Sequence, residues 1–172
     1  MLKTIKKARK GDDEAFSILF KKYEKDIYRM AFIYVSNQSD ALDIVQETAY
    51  NAFKNIKSLK KPKFFKTWLM KIAIRCSLDL TRNRNKTFHL TPPLEGNLPD
   101  HINEDIDLKM TLRHLIDDLN EDEKSVILLR FYQDFTFKDI SKVLDMPLGT
   151  CKTILYRAVN KLRNNLKGDD LL

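Results

Sequence analysis

Five side chains near the C-terminus carry hydrogen-bonding groups at a spacing that suits contact with nucleic acid. On a helix they would lie on the outer face and one flank, where Thr, Lys, Tyr and Arg can bond base edges or phosphates. From Gly149 to Lys167 the chain has five cations and no acid, so a polyanion would meet no repulsion there. The five candidate residues are Thr150, Lys152, Thr153, Tyr156 and Arg157.

The apolar residues around these candidates predict the helices that must position them. Leu148, Cys151, Leu155 and Ala158 recur at helical spacing and would form the buried face. A shorter amphipathic helix precedes them at 137–144, and Asp145-Met146-Pro147 breaks the pattern between the two. Short helix, tight turn and longer basic helix are typical of a helix-turn-helix, whose second helix enters the major groove of DNA. The alternative is an ordinary helical hairpin with a solvated basic surface.

The net charge of +7 is unevenly distributed. Residues 1–86 carry 20 Lys and Arg against 9 Asp and Glu, a net of +11. Residues 87–104 carry none against 3, and residues 105–172 carry 11 against 12. This concentration of cations in the N-terminal half predicts a second nucleic-acid-binding region.

Proline and glycine divide the chain. Residues 87–104 hold three of the five prolines and no cation, which predicts an extended, flexible linker. Low glycine and proline contents elsewhere favour long helices. The prediction is an all-α fold, with two small helical bundles at 1–86 and 105–172 joined by that linker. Helices are expected at 12–35, 40–57, 63–84, 105–117 and 121–132, followed by the helix-turn-helix. Asp12 or Asp13 is expected to cap the first helix, and Asn120 the helix at 121–132. The apolar stripe of the first helix is expected to contain Phe16, Leu19, Phe20, Tyr23, Ile27, Met30 and Ala31.

The second of these helices bears on the site. Ser39 or Asp40 is expected to cap it, and its buried stripe is expected to include Leu42, Val45, Ala49, Ala52 and Phe53. Acidic and hydrogen-bonding side chains would then face outward.

Other chemistry finds little support. Cys76 and Cys151 fall on apolar helical patterns, which favours reduced core residues over a disulfide. The three histidines lack metal-ligand spacing, and no glycine-rich phosphate loop is present. No apolar run approaches a membrane span, and the N-terminus lacks a signal-peptide core. We therefore expect a cytoplasmic protein without cofactor, metal or catalysis of its own.

The ordered motifs resemble bacterial sigma factors of the extracytoplasmic-function type. In the first half these are DALDIVQETAYNAF at 40–53 and FFKTWLMKIAIRCSLDLTR at 64–82. In the second half LNEDEKSVILLRFYQDFTFKDIS at 119–141 precedes MPLGTCKTILYRAVNKLR at 146–163. The resemblance covers nearly the whole chain except the linker, and it implies sigma region 2 at 1–86 and sigma region 4 at 105–172.

The resemblance implies two protein contacts with core RNA polymerase. The second helix would dock on the β′ coiled coil, and region 4 would meet the β flap. Acids on an otherwise basic domain are poorly suited to face DNA, because phosphates would repel them. The expected docking residues are Asp43, Gln46, Glu47 and Tyr50; a solvated helix face is the alternative.

The resemblance also assigns two promoter elements. The −10 element would be held and opened by a capture loop at 55–63 and cations after it, with flipped bases in a basic groove. Trp68 could stack on a base, although its position in the apolar stripe favours core packing. The expected −10 residues are Lys57, Lys60, Lys61, Lys63, Arg75, Arg82 and Arg84.

The helix-turn-helix would read the −35 element through Thr150, Lys152, Thr153, Tyr156 and Arg157, whereas Lys161 and Arg163 would be phosphate clamps or solvated. The chain departs from the family in the turn, where Asp145 replaces a common glycine, and at Ile154, where a basic residue is frequent. It also departs near Arg75, where the family usually has asparagine.

The resemblance further implies control by an anti-sigma factor, often membrane-anchored, that occludes both domains. A free-standing regulator with a C-terminal helix-turn-helix is the second hypothesis, and it should bind a palindromic operator as a dimer without polymerase. A nucleic-acid enzyme is the third hypothesis. It is disfavoured because the sequence has no recognisable catalytic or metal-binding set.

Overall fold

Capped amphipathic helices build both parts of the chain. In the computed structural model the backbone is described at 1–87 and 118–169, and the side chains at 1–84 and 118–165. The chain divides into an N-terminal unit, Met1–Gly96, and a C-terminal unit, Asn97–Leu172. Every regular element in the described ranges is helical, in agreement with the predicted all-α class. None of the described helices is both long and apolar enough to cross a membrane.

Four α-helices form the described part of the N-terminal unit. The predicted stripe of the helix Asp13–Val35, from Phe16 to Ala31, is buried as expected, and the Asp12 side chain caps this helix by accepting from the Ala15 N–H at 2.8 Å. Two short 3₁₀ turns, Ile56–Ser58 and Pro62–Phe64, connect the last two helices. The helices are α1 (Leu2–Arg9), α2 (Asp13–Val35), α3 (Gln38–Asn55) and α4 (Phe65–Thr87).

Two expectations for α3 are wrong. Its N-cap is Asn37, whose side chain accepts from the Asp40 N–H at 2.9 Å, so Ser39 and Asp40 lie within the helix. Leu42 and Phe53 are not core residues, because they are 44% and 45% exposed. The buried stripe runs through Ala41, Ile44, Val45, Thr48 and Ala52, so a buried threonine takes a position that an apolar reading of the sequence passes over.

Three helices and a π-helical segment form the described part of the C-terminal unit. Asn120 caps the first in a reciprocal capping box with Glu123, as the sequence predicts for Asn120. Their core includes Val126, Leu129 and Ile140. The elements are α5 (Glu121–Ile127), the π segment (Leu128–Tyr132), α6 (Phe137–Leu144) and α7 (Leu148–Asp169). The predicted helix at 105–117 lies outside the described residues, as does most of the predicted linker.

The turn between α6 and α7 is tight. Asp145 ends α6 in the left-handed region at φ 53°, the conformation for which glycine is the usual choice. The Ser141 hydroxyl donates to the Met146 carbonyl at 2.5 Å and closes the turn. Pro147 immediately precedes α7 and accepts from the Cys151 N–H through its carbonyl. Helix-turn-helix geometry is therefore reached with an aspartate where the family commonly has glycine.

Both cysteines are free and buried, as predicted for core residues. Burial raises the pKa of the Cys76 thiol, although the hydrogen bond from Asn51 Nδ2 at 3.6 Å opposes the shift. Burial likewise raises the pKa of Cys151. Both thiols are therefore poor nucleophiles at neutral pH.

Candidate nucleic-acid and polymerase interfaces

The outer face of α7 presents the five candidates for base contact. Burial of Cys151, Leu155 and Ala158 fixes the rotation of the helix and turns this face to solvent. Tyr156 on this face is 69% exposed. All of the predicted base-reading side chains are exposed together on this one helix: Thr150, Lys152, Thr153, Tyr156 and Arg157.

Ile154 belongs to the packed side of α7, at 8% exposure. A basic residue is frequent at this position in the family, and here an apolar side chain extends the core instead. The polar outer face of α7 is therefore narrower than it would be with a cation at position 154. The exposed hydrogen-bonding groups are therefore on the outer face and on the other flank, where Lys152 and Tyr156 lie.

An aromatic ring organises the cations at the start of α6. The Arg130 guanidinium lies 5.5 Å from the centre of the Phe137 ring, and the Lys152 ammonium lies 5.8 Å from it. Arg130 also donates to the Phe135 carbonyl at 3.0 Å. The contact with Phe137 holds the Lys152 ammonium near the first helix of the motif and limits the positions that this ammonium can occupy.

Lys161 is paired with a buried carboxylate. Its ammonium donates to Glu123 Oε2 at 2.7 Å, and the Glu123 side chain is 1% exposed. Burial alone would raise the pKa of Glu123, but bonds from Lys161 and the Asn120 N–H, with the nearby charge of Arg157, hold the pKa below its ordinary value. This arrangement gives Lys161 a structural contact that a role as phosphate clamp does not require.

The predicted capture loop is anchored by its apolar residues. Ile56 and Leu59 are buried, so the lysines between and after them point outward. The Lys63 ammonium lies 5.0 Å from the centre of the Phe64 ring. The four lysines predicted to contact DNA are all exposed: Lys57, Lys60, Lys61 and Lys63.

The aromatic residues after the loop divide between core and surface. Phe65 is 1% exposed, and its ring centre lies 5.9 Å from that of Trp68 and 5.8 Å from that of Tyr23. Trp68 and Phe64 are half-buried. The packing of Trp68 on Phe65 agrees with the core assignment that the sequence favoured, and it leaves one part of the indole at the surface.

The three arginines of α4 differ in their surroundings. Arg75 and Arg82 are exposed. Arg84 forms an ion pair with both oxygens of Asp40, which is 6% exposed and also accepts from Asn37 Nδ2 at 2.6 Å. The Arg84 guanidinium thus joins the end of α4 to the start of α3, so DNA would have to compete with a carboxylate for it.

The outer face of α3 is acidic and partly apolar. Glu47 accepts from Asn51 Nδ2 at 2.7 Å, and the Lys54 ammonium lies 5.8 Å from the centre of the Tyr50 ring. The exposed Leu42, which the sequence reading assigned to the core, adds apolar surface beside these residues. The predicted docking residues are all exposed on this helix: Asp43, Gln46, Glu47 and Tyr50.

Metal ligands do not converge in the described part of the chain, where no three His, Cys, Asp or Glu side chains could hold an ion together.

Two family models match the chain. The Sigma-70 region 2 model matches residues 19–87, and the Sigma-70, region 4 model matches residues 115–164. The RNA polymerase sigma factor SigV of Bacillus subtilis is 35% identical over 153 residues, which cover 87% of this chain and 89% of that protein. The ECF RNA polymerase sigma factor SigW of the same organism is 28% identical, with 96% of each chain covered.

Solved structures support the fold. CnrH, solved in complex with the cytosolic domain of CnrY, superposes with a TM-score of 0.76 at 20% identity and covers 98% of this chain and 97% of its own. The sigma factor RpoE of Bartonella quintana, solved with the anti-sigma factor NepR, gives 0.75 at 22% identity and covers 88% and 96%. With both region models matched in order and close relatives matched over nearly their whole length, this chain belongs to the sigma-70 family of RNA polymerase sigma factors, in its extracytoplasmic-function group.

Proposed function

We propose that this sigma factor divides its work among three surfaces: α3 docks on core RNA polymerase, the capture loop and α4 hold the −10 element, and α7 reads the −35 element. Residues 1–86 and 105–172 are the proposed domains, with 87–104 as linker. The observation that carries the proposal is the segregation of charge: the exposed charges of α3 before Lys54 are the acids Asp43 and Glu47, whereas the exposed charges of the adjacent loop are all lysines. We propose no catalytic role for the chain, which would act in the cytoplasm where the polymerase is.

Docking on polymerase is proposed for α3 because its acids are poorly suited to DNA. Asp43 and Glu47 would be repelled by phosphates but would suit a basic protein surface such as that of the β′ coiled coil. Tyr50 and Leu42 supply exposed apolar area beside them, and an aromatic residue surrounded by polar groups is a common binding hot spot.

The −10 contact is proposed for the loop because its lysines are exposed while its apolar residues are fixed in the core. Strand opening exposes bases that need a surface for stacking and cations for their phosphates. Phe64 and the open part of Trp68 are the aromatic surfaces nearest those lysines in the chain. Arg75 and Arg82 would contact backbone, and Arg84 would do so only after leaving Asp40.

The −35 contact is proposed for the outer face of α7, with Arg157 as the leading base-reading residue. Arg157→Ala should weaken binding to the −35 element by about 1–3 kcal/mol and relax sequence preference at one base pair. Competition binding of holoenzyme to promoter variants at each −35 position measures both effects.

Arg163→Ala is the matched control for Arg157→Ala, because Arg163 is exposed on the same helix but lies further from the turn. It should weaken all sequences equally or have no effect. Unchanged −35 affinity for the Arg157 variant would remove that residue from the interface.

Control by an anti-sigma factor is also proposed. Two of the structures that share this fold are complexes, one of CnrH with the cytosolic domain of CnrY and one of the sigma factor RpoE with the anti-sigma factor NepR. An inhibitor of this chain would have to cover α3 or the basic surfaces. A membrane-anchored inhibitor would suit the extracytoplasmic-function group.

Transcription in vitro tests the function as a whole. Core RNA polymerase would transcribe fragmented genomic DNA with and without the chain. Discrete transcripts that require the chain, with shared upstream elements near −10 and −35, are the expected result. Specific DNA binding without polymerase, together with no new transcripts, would instead identify a free-standing regulator.

A further inference from the structure

The first helix carries a stripe of lysines that no family motif explains. Lys3, Lys6, Lys7 and Lys10 recur at helical spacing on one side of α1 and its C-terminal cap, and all four are exposed. The other side of the helix is buried through Ile5 and Ala8, at 1% and 2% exposure. The matched region 2 segment begins only at residue 19, so α1 lies outside it.

Helix α1, which carries the lysine stripe, adjoins the capture loop. Helix α1 packs against both 3₁₀ turns, Ile56–Ser58 and Pro62–Phe64, which flank the exposed loop lysines. Residues 1–11 and 48–78 contain no aspartate or glutamate. The acids that border these two segments are those at 12–14, just after α1, and Glu47 and Asp79. Two segments distant in sequence thus supply cations to the same part of the N-terminal unit.

Such a stripe is unfavourable for the isolated helix. Lysines three and four residues apart repel one another, and a helix of eight residues is too short to be stable alone. Burial of Ile5 and Ala8 offsets the repulsion but does not require lysine on the outer side. From Lys3 to Lys10 the helix rises about 10 Å, a length over which one strand of DNA presents about three phosphates.

We propose that α1 and the capture loop form one cationic surface for DNA phosphates, so that the promoter contact of the N-terminal unit extends beyond the matched region 2 segment. The inference rests on the proposed −10 role of the loop. The ligand is backbone phosphate, because flexible lysines on two segments that contain no acid themselves suit a uniform polyanion better than a base edge. An acidic protein segment is the other polyanion that the test must separate.

The test compares two triple variants in holoenzyme. Lys3→Gln, Lys6→Gln and Lys7→Gln are combined in one chain. Lys21→Gln, Lys22→Gln and Lys25→Gln, all exposed on α2, are combined in the control with the same change of charge. Glutamine keeps helix propensity close to that of lysine. Promoter affinity is measured from 50 to 300 mM salt, and affinity for core polymerase is measured without DNA.

The α1 variant should bind promoter about tenfold to a hundredfold more weakly at 0.1 M salt, and its log–log salt slope should fall by about two to three. The control should match the wild type, and both variants should bind core polymerase normally. A variant with Lys3→Arg, Lys6→Arg and Lys7→Arg should have the wild-type salt slope, because arginine keeps the positive charge. Arginine and glutamine have similar helix propensities, so unfolding of α1 would not explain a difference between the two variants.

Three results would overturn the inference. Equal salt slopes for the α1 and α2 variants would exclude α1 from the DNA contact. Loss of core affinity by the α1 variant, with an unchanged salt slope, would identify a protein partner instead. Failure of wild-type holoenzyme to bind any promoter specifically would overturn the proposed function as well, and the wild-type measurement reports that result separately.

Discussion

Replacing Lys161 by methionine is expected to lower the free energy of unfolding of the C-terminal unit by about 2–3 kcal/mol. The substitution would leave the Glu123 carboxylate, which is 1% exposed, without its ammonium partner at 2.7 Å. Loss of one member of a fully buried ion pair costs about 3–5 kcal/mol. A smaller value is expected here because the Lys161 side chain is 43% exposed, so that water can reach part of the site.

Two probes report the unfolding of the N-terminal and C-terminal units separately. The single tryptophan, Trp68, reports urea unfolding of the N-terminal unit by fluorescence. Hydrogen exchange at the Val126 and Leu129 amides reports opening of the C-terminal unit. Lys138→Met, at an exposed position of α6, is the matched control and should change neither probe. Unchanged exchange in the Lys161 variant, with weaker and less salt-dependent −35 binding, would instead make Lys161 a phosphate clamp.

The Lys161–Glu123 ion pair also predicts how the stability difference between the wild type and the Lys161 variant depends on pH. The pKa of Glu123 is lowered in the folded state, so at a given acidic pH its carboxyl group binds fewer protons there than in the unfolded chain. The pair therefore contributes fully above the ordinary glutamate pKa of about 4.3, and the contribution is lost as pH falls through the lower folded value. Wild type and the Lys161 variant should converge in stability below about pH 4. A constant difference from pH 7 to pH 3 would contradict this assignment.

Local patterns in the sequence were sufficient to predict most of the helices. The buried stripe of α2, the Asn120 cap and the two helices of the DNA-binding motif depend on residues three or four positions apart, which a sequence displays directly. Helix α1 escaped prediction because only Ile5 and Ala8 form its buried side. The sequence predicts Leu42 and Phe53 in the core because both are apolar. Apolar character alone does not reveal that the buried stripe of α3 runs through Thr48 instead.

Two ion pairs at the candidate sites could not be predicted from local patterns, because the partners are distant in sequence. Arg84 pairs with Asp40 across 44 positions, and Lys161 pairs with Glu123 across 38. Each cation looked available for DNA because its carboxylate partner becomes a neighbour only when helices pack. The capping box at 120–123 was the one local signal for the second pair, since it draws Glu123 back toward the start of α5. The remaining DNA candidates on the loop and α7 are exposed, as their assignment requires.

Two exposed tyrosines allow a test of the proposal that α3 docks on polymerase and α7 reads the promoter, because the same substitution, Tyr to Ala, can be made on each helix. Tyr50 on α3 and Tyr156 on α7 are 60% and 69% exposed, so alanine should disturb neither core. Tyr50→Ala should weaken binding to core polymerase by about 2 kcal/mol, or roughly thirtyfold, the size expected for an aromatic hot spot. Fluorescence anisotropy of the labelled chain with core polymerase, without DNA, measures this effect.

Tyr156→Ala is the reciprocal control. It should bind core polymerase like the wild type, while holoenzyme containing it should lose affinity for the −35 element by about 1–3 kcal/mol. Tyr50→Ala holoenzyme, once assembled at high concentration, should keep wild-type preference among −35 variants, because α7 is unchanged. Since both variants lose the same side chain at similar exposure, opposite phenotypes could arise only from different partners at the two surfaces. Weakened −35 reading by the assembled Tyr50 variant would contradict the assignment of α3 to the polymerase.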